Sequence, residues 1–218
     1  MNWGAAHWRS FPWRTTNDPF RILVAEVMLQ RSRGITVAKV YERFFGRWPD
    51  AQSVARAHVR SIGSVIRPLG LTGRAATLKA LAREVTERGS VPDSFEELLS
   101  LPGVGPYAAG ATLVVAFGKR APVVDGVTAR VYRRYFGLGS NGAANSDGAL
   151  WSLVEEVTPK GRVREWNWAV LDLAATVCLP KVPRCSECPL ALHCAWSQVY
   201  GSSLSSKGAR IPAGTTSL

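Results

Sequence analysis

Every cysteine of this 218-residue chain falls inside one stretch, CLPKVPRCSECPLALHC, at positions 178, 185, 188 and 194. The spacing C-x6-C-x2-C-x5-C closes a single cage of four thiols, which any fold of this chain must accommodate. The opening MNWGAAHWRSFPWR has no apolar core of the kind a secretory signal needs, so two disulfides are disfavoured. A tetrathiolate zinc site or an iron–sulfur cluster remains, and spacing alone does not separate them. Because four sulfurs fill the cage, His193 reads as a solvent-facing neighbour of Cys194 rather than a ligand.

Upstream of the cage the pattern is helical. Apolar residues recur at three- and four-residue spacing over 20–31, 36–46, 50–57, 61–68, 73–88, 94–100, 106–117, 126–136, 148–157 and 165–178. Strand-like alternation is nearly absent, so the fold class is all-α. In VPDSFEELLSL, Asp93 or Ser94 serves as N-cap, with Glu96 and Glu97 in the first turn where the helix dipole favours acids. SNGAANSDG (140–148) and GSSLSSKGARIPAGTTSL (201–218) are loop-like, the latter a mobile tail. A hydrophobic content of 46% supports a core that folds unaided. Lys and Arg outnumber Asp and Glu by 27 to 16, a formal +11, which points to an extended polyanion as partner, with an acidic lipid surface as rival. No stretch approaches the roughly 20 apolar residues of a membrane span, and the chain reads as a soluble cytoplasmic protein.

FEELLSLPGVGPYAAGATLVVAF is two helices joined by a very short turn. Pro102 stops the first, Gly103 and Gly105 permit positive φ, and Pro106 suits the first turn of the second. Unpartnered N–H groups there, backed by the helix dipole, are able to hold a phosphate oxygen, and the missing Cβ atoms let a nucleic-acid backbone approach. A plain αα-turn is the alternative. Asp125 precedes VTARVYRRYF and reads first as an N-cap. Glu26, in ILVAEVML, is the lone charge in an otherwise apolar run; a buried carboxylate must find a partner, such as one of the many arginines, or titrate upward.

The order L-P-G-V-G, then V-V-D-G-V-T-A-R, then the four-cysteine loop resembles the helix-hairpin-helix, Gly/Pro-Asp DNA glycosylases of the endonuclease III branch, over roughly residues 8 to 196. The resemblance implies two helical lobes with DNA between them, a [4Fe–4S] cluster on Cys178, Cys185, Cys188 and Cys194, and excision of a flipped-out base. It divides the chain into 1–18 plus 119–196 as one lobe, 19–118 as a second ending in the hairpin (94–117), and a flexible tail from 197. FPWR (11–14), DPF and EVMLQRS (26–32) are most similar to adenine mismatch and G·T mismatch thymine glycosylases. Three features favour the thymine enzymes: Tyr107 where bifunctional endonucleases have a Schiff-base lysine, LGLTGRA (69–75), and a chain that stops shortly after Cys194. Val127 departs from the polar or bulky residue usual at its position and is expected to alter packing around the acid.

By this resemblance Asp125 is the catalytic carboxylate that stabilises positive charge on the sugar or activates water, and Glu26 is the base-pocket acid. Tyr107 stands at the pocket mouth and cannot form a Schiff base. Leu101, Gly103, Val104 and Gly105 grip the DNA backbone. Among Gln30, Arg31 and Arg33, Arg31 is the expected filler of the gap left by the flipped base or contact to the orphan guanine. Trp168 and Asn167 line the pocket. Lys119, Arg120, Arg130, Arg133, Arg134, Lys181 and Arg184 are phosphate candidates. The expected protein is a monomeric, monofunctional DNA glycosylase, associated with the nucleoid, acting on thymine or uracil opposite guanine in duplex DNA. An adenine glycosylase, a lyase-active endonuclease and a non-catalytic binder of distorted DNA are the alternatives.

Overall fold

The computed structural model describes residues 2–70, 73–139 and 142–204. Twelve α-helices follow one another among them: α1 (Asn2–Ala6), α2 (Pro19–Leu29), α3 (Gly34–Arg47), α4 (Ala51–Arg56), α5 (Val59–Ile66), α6 (Arg74–Arg88), α7 (Phe95–Leu99), α8 (Pro106–Phe117), α9 (Gly126–Phe136), α10 (Gly148–Val157), α11 (Val163–Thr176) and α12 (Ala195–Leu204). No strand occurs among the described residues. α2 to α11 are the helices that periodicity predicts. Two helices escape it: α1 is too short to show a period, and α12 occupies the start of the stretch read as a flexible tail. Leu71 and Thr72 of the LGLTGRA motif, Ser140 and Asn141 of the loop, and the tail from 205 lie outside the described residues.

The helix ends follow local chemistry. Asp18 caps α2 by accepting from the Phe20 and Arg21 amides at 2.9 and 3.2 Å, and Pro19 supplies the preset φ of a first turn. Ser94 caps α7, as one of the two expected alternatives. α8 is buried on nearly every face, from Ala108 through Val115, and forms the central post. A Cβ at Gly110 would meet the Pro122 carbonyl oxygen at 2.3 Å, so only glycine lets the segment before Asp125 lie against this post.

Two apolar clusters form the interior. The larger gathers Leu23, Met28, Phe44, Ile62, Leu78, Leu98 and Val114 from α2 to α8. The smaller joins Val131, Tyr132, Leu150, Val154 and Leu173 from α9, α10 and α11. Each fully buried Leu or Phe contributes about 1.5–3 kcal/mol relative to exposure.

Arginines close several helix ends. Arg120 donates to the Thr158 carbonyl at 2.7 Å and to the Glu155 and Glu156 carbonyls at the end of α10. Arg130 donates to the Ala174 and Cys178 carbonyls at 2.7 and 2.8 Å, and Arg134 to Leu179 at 2.6 Å and Pro180 at 2.8 Å. Part of the basic surplus is thus committed to carbonyls that α-helices leave orphaned.

Candidate active site

A cavity of about 660 Å³ opens where α2, α8, the start of α9, α11 and the N-terminal segment meet. Glu26, Tyr107, Asp125, Gln30, Arg31 and Trp168 all line it, together with Asn167 and Val127. Side chains that the sequence separates by up to 142 positions, from Glu26 to Trp168, therefore share one chamber.

Glu26 sits on the buried face of α2 and is 8% exposed. Its Oε2 is buried and has no hydrogen-bond partner among the described residues. Burial, followed by the nearby charge of Asp125, pushes its pKa up to about 8, and Arg14 pulls it partly back. Among the described residues the ion pair considered from sequence does not form, and Arg14 pairs with Asp172 instead. At neutral pH the group is a carboxylic acid with an unsatisfied oxygen in a cavity.

Asp125 is the N-cap of α9 and closes a capping box. Its Oδ1 accepts from the Val127 and Thr128 amides at 2.9 and 2.7 Å and from the Thr128 hydroxyl at 3.0 Å, while its own amide donates to Thr128 Oγ1 at 2.9 Å. Its Oδ2 makes no hydrogen bond among the described residues. The N-cap reading and the site reading are both fulfilled by one residue. Val127 keeps the cap through its amide, and its side chain, 38% exposed, turns toward the cavity. Burial, then Glu26 and Asp125, hold the Tyr107 phenol well above its ordinary pKa, so it stays protonated.

The hairpin turn divides its residues. Leu101 and Val104 are buried anchors, so only their backbone is available to a ligand. Gly103 is exposed at φ 78°, and a Cβ there would strike Thr77 Cγ2 at 2.3 Å. Gln30 donates to the Gly103 carbonyl at 3.0 Å, tying the end of α2 to the turn. Arg31 is exposed and holds a left-handed φ of 55°. Buried Arg74 supports this corner through the Met28 carbonyl and Ser32 Oγ, at 3.2 and 3.1 Å, and the Gln30 carbonyl.

Trp168 and Asn167 line the cavity as expected, whereas the basic candidates fall in several environments. Trp168 is 6% exposed, edge-on to Trp8 at 4.5 Å and with the Arg14 guanidinium 5.3 Å from its ring centre, so it is a packed wall rather than an open stacking platform. Asn167 donates its amide back to the Val163 carbonyl at 2.9 Å. Lys119 pairs with Asp93 at 2.6 Å, away from the cavity. Arg133 pairs with Asp147 at 2.7 Å. Arg120, Arg130 and Arg134 hold the carbonyls described above, while Lys181 and Arg184 remain exposed.

Sequence reading missed a buried ion network beside the cavity. Asp172 of α11, 1% exposed, receives Arg14 Nη1 and Nη2 at 2.7 and 2.9 Å and Arg9 Nε at 2.6 Å. Arg9 and Arg14 both line the cavity. The signal was present: Asp172 in WAVLDLAA is a lone acid in an apolar run, as Glu26 is.

The four cysteines are unpaired, and all four line one apolar cavity between α9, α11 and α12. Arg134 Nη1 stands 3.4 Å from Cys178 Sγ and lies over Trp196 at 4.7 Å. Burial raises the thiols of Cys185 and Cys188, with neighbouring cysteines adding to the shift. Among the described residues no three His, Cys, Asp or Glu side chains are gathered to hold a metal ion. Nor is any described helix long and apolar enough to cross a membrane.

Residues 24–156 match the HhH-GPD superfamily base excision DNA repair protein family. The chain is 37% identical over 191 residues to a thymine/uracil-DNA glycosylase of Methanothermobacter thermautotrophicus, covering 86% of each. It is 39% identical over 189 residues to a thymine/uracil-DNA glycosylase of Pyrobaculum aerophilum, covering 84% of this chain and 82% of that one. The solved structure of a thermostable thymine-DNA glycosylase superposes with a TM-score of 0.82 at 38% identity, covering 88% of this chain and 89% of that one. With its helical hairpin, its all-helical fold and a cavity holding both acids, the chain belongs to the HhH-GPD superfamily of base excision repair proteins and is a DNA glycosylase, an enzyme acting on N-glycosyl bonds.

Proposed function

We propose that this enzyme is a monomeric, monofunctional glycosylase that removes thymine or uracil mispaired with guanine from duplex DNA. The observation that carries the reading is the buried, unpartnered carboxyl of Glu26, its pKa raised by burial, in the same chamber as the cap-oriented carboxyl of Asp125. As the bond from C1′ to the base N1 breaks, its electron pair goes to the pyrimidine and positive charge develops on the sugar. The neutral Glu26 is suited to donate a hydrogen bond to a base carbonyl that gains negative charge. The Asp125 anion is suited to stabilise the sugar cation or take a proton from the water that attacks C1′. Tyr107 lines the cavity, and no lysine does among its described lining residues, which supports hydrolysis without a Schiff base. The relatives' names favour a pyrimidine over adenine.

The cysteine loop fits a thiolate-held group. Pro183 is the one fully buried residue among positions 179–194, so burial alone gives this segment little to stand on. Cys178, Cys185, Cys188 and Cys194 would hold a [4Fe–4S] cluster, whose contribution is to brace the loop. Purified protein should be brown; a colourless protein with stoichiometric zinc would refute the assignment.

Duplexes bearing G·T, G·U, A·G, A·8-oxoguanine and thymine glycol test the base assignment. Excision should be fastest for G·T or G·U, and strands should break only after alkali. Faster release of adenine, or nicking without alkali, would overturn it. Asp125→Asn should bind the same duplex and lose at least about 10²-fold in excision rate.

A further inference from the structure

We propose that Asp172 is a positioning residue for excision: through Arg9 and Arg14 it fixes the cationic wall of the cavity that holds Glu26. Asp172 accepts four hydrogen bonds, from Arg9 Nε at 2.6 Å, the Arg9 amide at 3.2 Å, and Arg14 Nη1 and Nη2 at 2.7 and 2.9 Å. The bidentate fork leaves Arg14 one orientation. Aromatic neighbours enforce it: the guanidinium carbon lies 5.5, 5.6 and 5.3 Å from the ring centres of Trp8, Phe11 and Trp168. Arg14 Nη1 also donates to the Arg9 carbonyl at 3.0 Å, which folds residues 9–14 into a strap along the cavity. On α11 Asp172 supplies the charged anchor of this strap, beside the Trp168 ring that packs on Arg14.

Two arginines on one aspartate leave a surplus of one positive charge. A pyrimidine departing with the bonding electrons carries negative charge, so a fixed cationic wall favours the moment of bond cleavage. The same wall acts on Glu26. The groups facing that acid are Arg14 from the strap, Asp125 from the start of α9 and the Tyr107 phenol from α8. Of the helices packed on α2, α6 contributes Arg74, bonded to the Met28 and Gln30 carbonyls, and α3 contributes the Tyr41 phenol, whose ring meets Trp13. Burial and then Asp125 push Glu26 upward and Arg14 opposes them, so the cluster that holds Arg14 in place adjusts where Glu26 loses its proton.

This rests on Glu26 being the acid of the cavity, and the experiment separates the two. Single-turnover excision is followed against pH on whichever duplex of the panel above the wild type cleaves fastest, so a wrong base assignment appears in the panel alone. The Glu26 carboxyl is titrated directly by carbon-13 NMR, its signal identified by loss in Glu26→Gln. Asp172→Asn raises the cluster from one surplus charge to two and should move the Glu26 midpoint toward acid by about half a unit to one unit. Arg9→Gln reduces the surplus to zero and should move it toward alkali by a similar amount. Midpoints that stay at the wild-type value, or that move the same way in both variants, would overturn the proposal. Should Asp172→Asn fail to fold by circular dichroism, Arg9→Gln and Arg9→Lys decide it, since Arg9 is partly exposed: an alkaline shift with Gln and none with Lys is expected, and equal midpoints refute it.

Discussion

Glu26 on α2 and Asp172 on α11 are both acids buried in apolar helical runs beside one cavity, yet they have opposite lives. Asp172 is saturated by two arginines, and Glu26 has an oxygen with no partner. A buried carboxylate that is fully paired holds its partners in place, whereas one left unpaired raises the free energy of the fold, a cost that marks candidate functional acids. Burial alone does not distinguish these roles. The inventory of partners does.

The largest way to break this contrast is to remove the paired acid. Asp172→Ala leaves two cationic groups facing each other, one of them buried, and should cost about 3–5 kcal/mol in urea melts. Removing the unpaired acid should do the reverse. With Glu26 titrating near 8 in the folded protein against 4.5 in an unfolded chain, the stability advantage is fully present below pH 4.5. It is lost as pH rises through 8. Glu26→Gln escapes this loss and should be more stable than wild type by on the order of 3 kcal/mol at pH 8, with the difference shrinking toward pH 4, while excision falls. A difference between variant and wild type that is the same at both pH values would show that burial does not raise the Glu26 pKa in the folded protein. The smallest of the three effects probes the scaffold between the acids. Gly110→Ala presses on the Pro122 carbonyl and should cost about 1–3 kcal/mol, with excision reduced because that segment leads into Asp125.

Much of this was legible in the chain. Amphipathic spacing marks ten of the twelve helices because each buries one stripe, and α8 stands out because it buries all of them. Glu26 and Asp125 announce themselves by type and neighbours. What the sequence hides is pairing across distance: Arg14 and Asp172 are 158 positions apart, and nothing local in FPWR says which acid its arginine will meet. The same blindness affects Arg120, Arg130 and Arg134, phosphate candidates by charge whose guanidinium groups donate to backbone carbonyls at or just beyond helix ends. Charge is visible in a sequence, but the carbonyls that consume it belong to the fold.

The capping box at the head of α9 has a kinetic consequence. The bonds that start this helix are the bonds that fix the carboxyl of Asp125, since Oδ1 is tied to the Val127 and Thr128 amides and Oδ2 has no hydrogen bond among the described residues. Helix initiation and arming of the site are therefore a single event. In the role proposed above for Asp125, the carboxyl would have no independent swing to freeze out when DNA arrives, and fraying of one turn of backbone would be enough to disarm it.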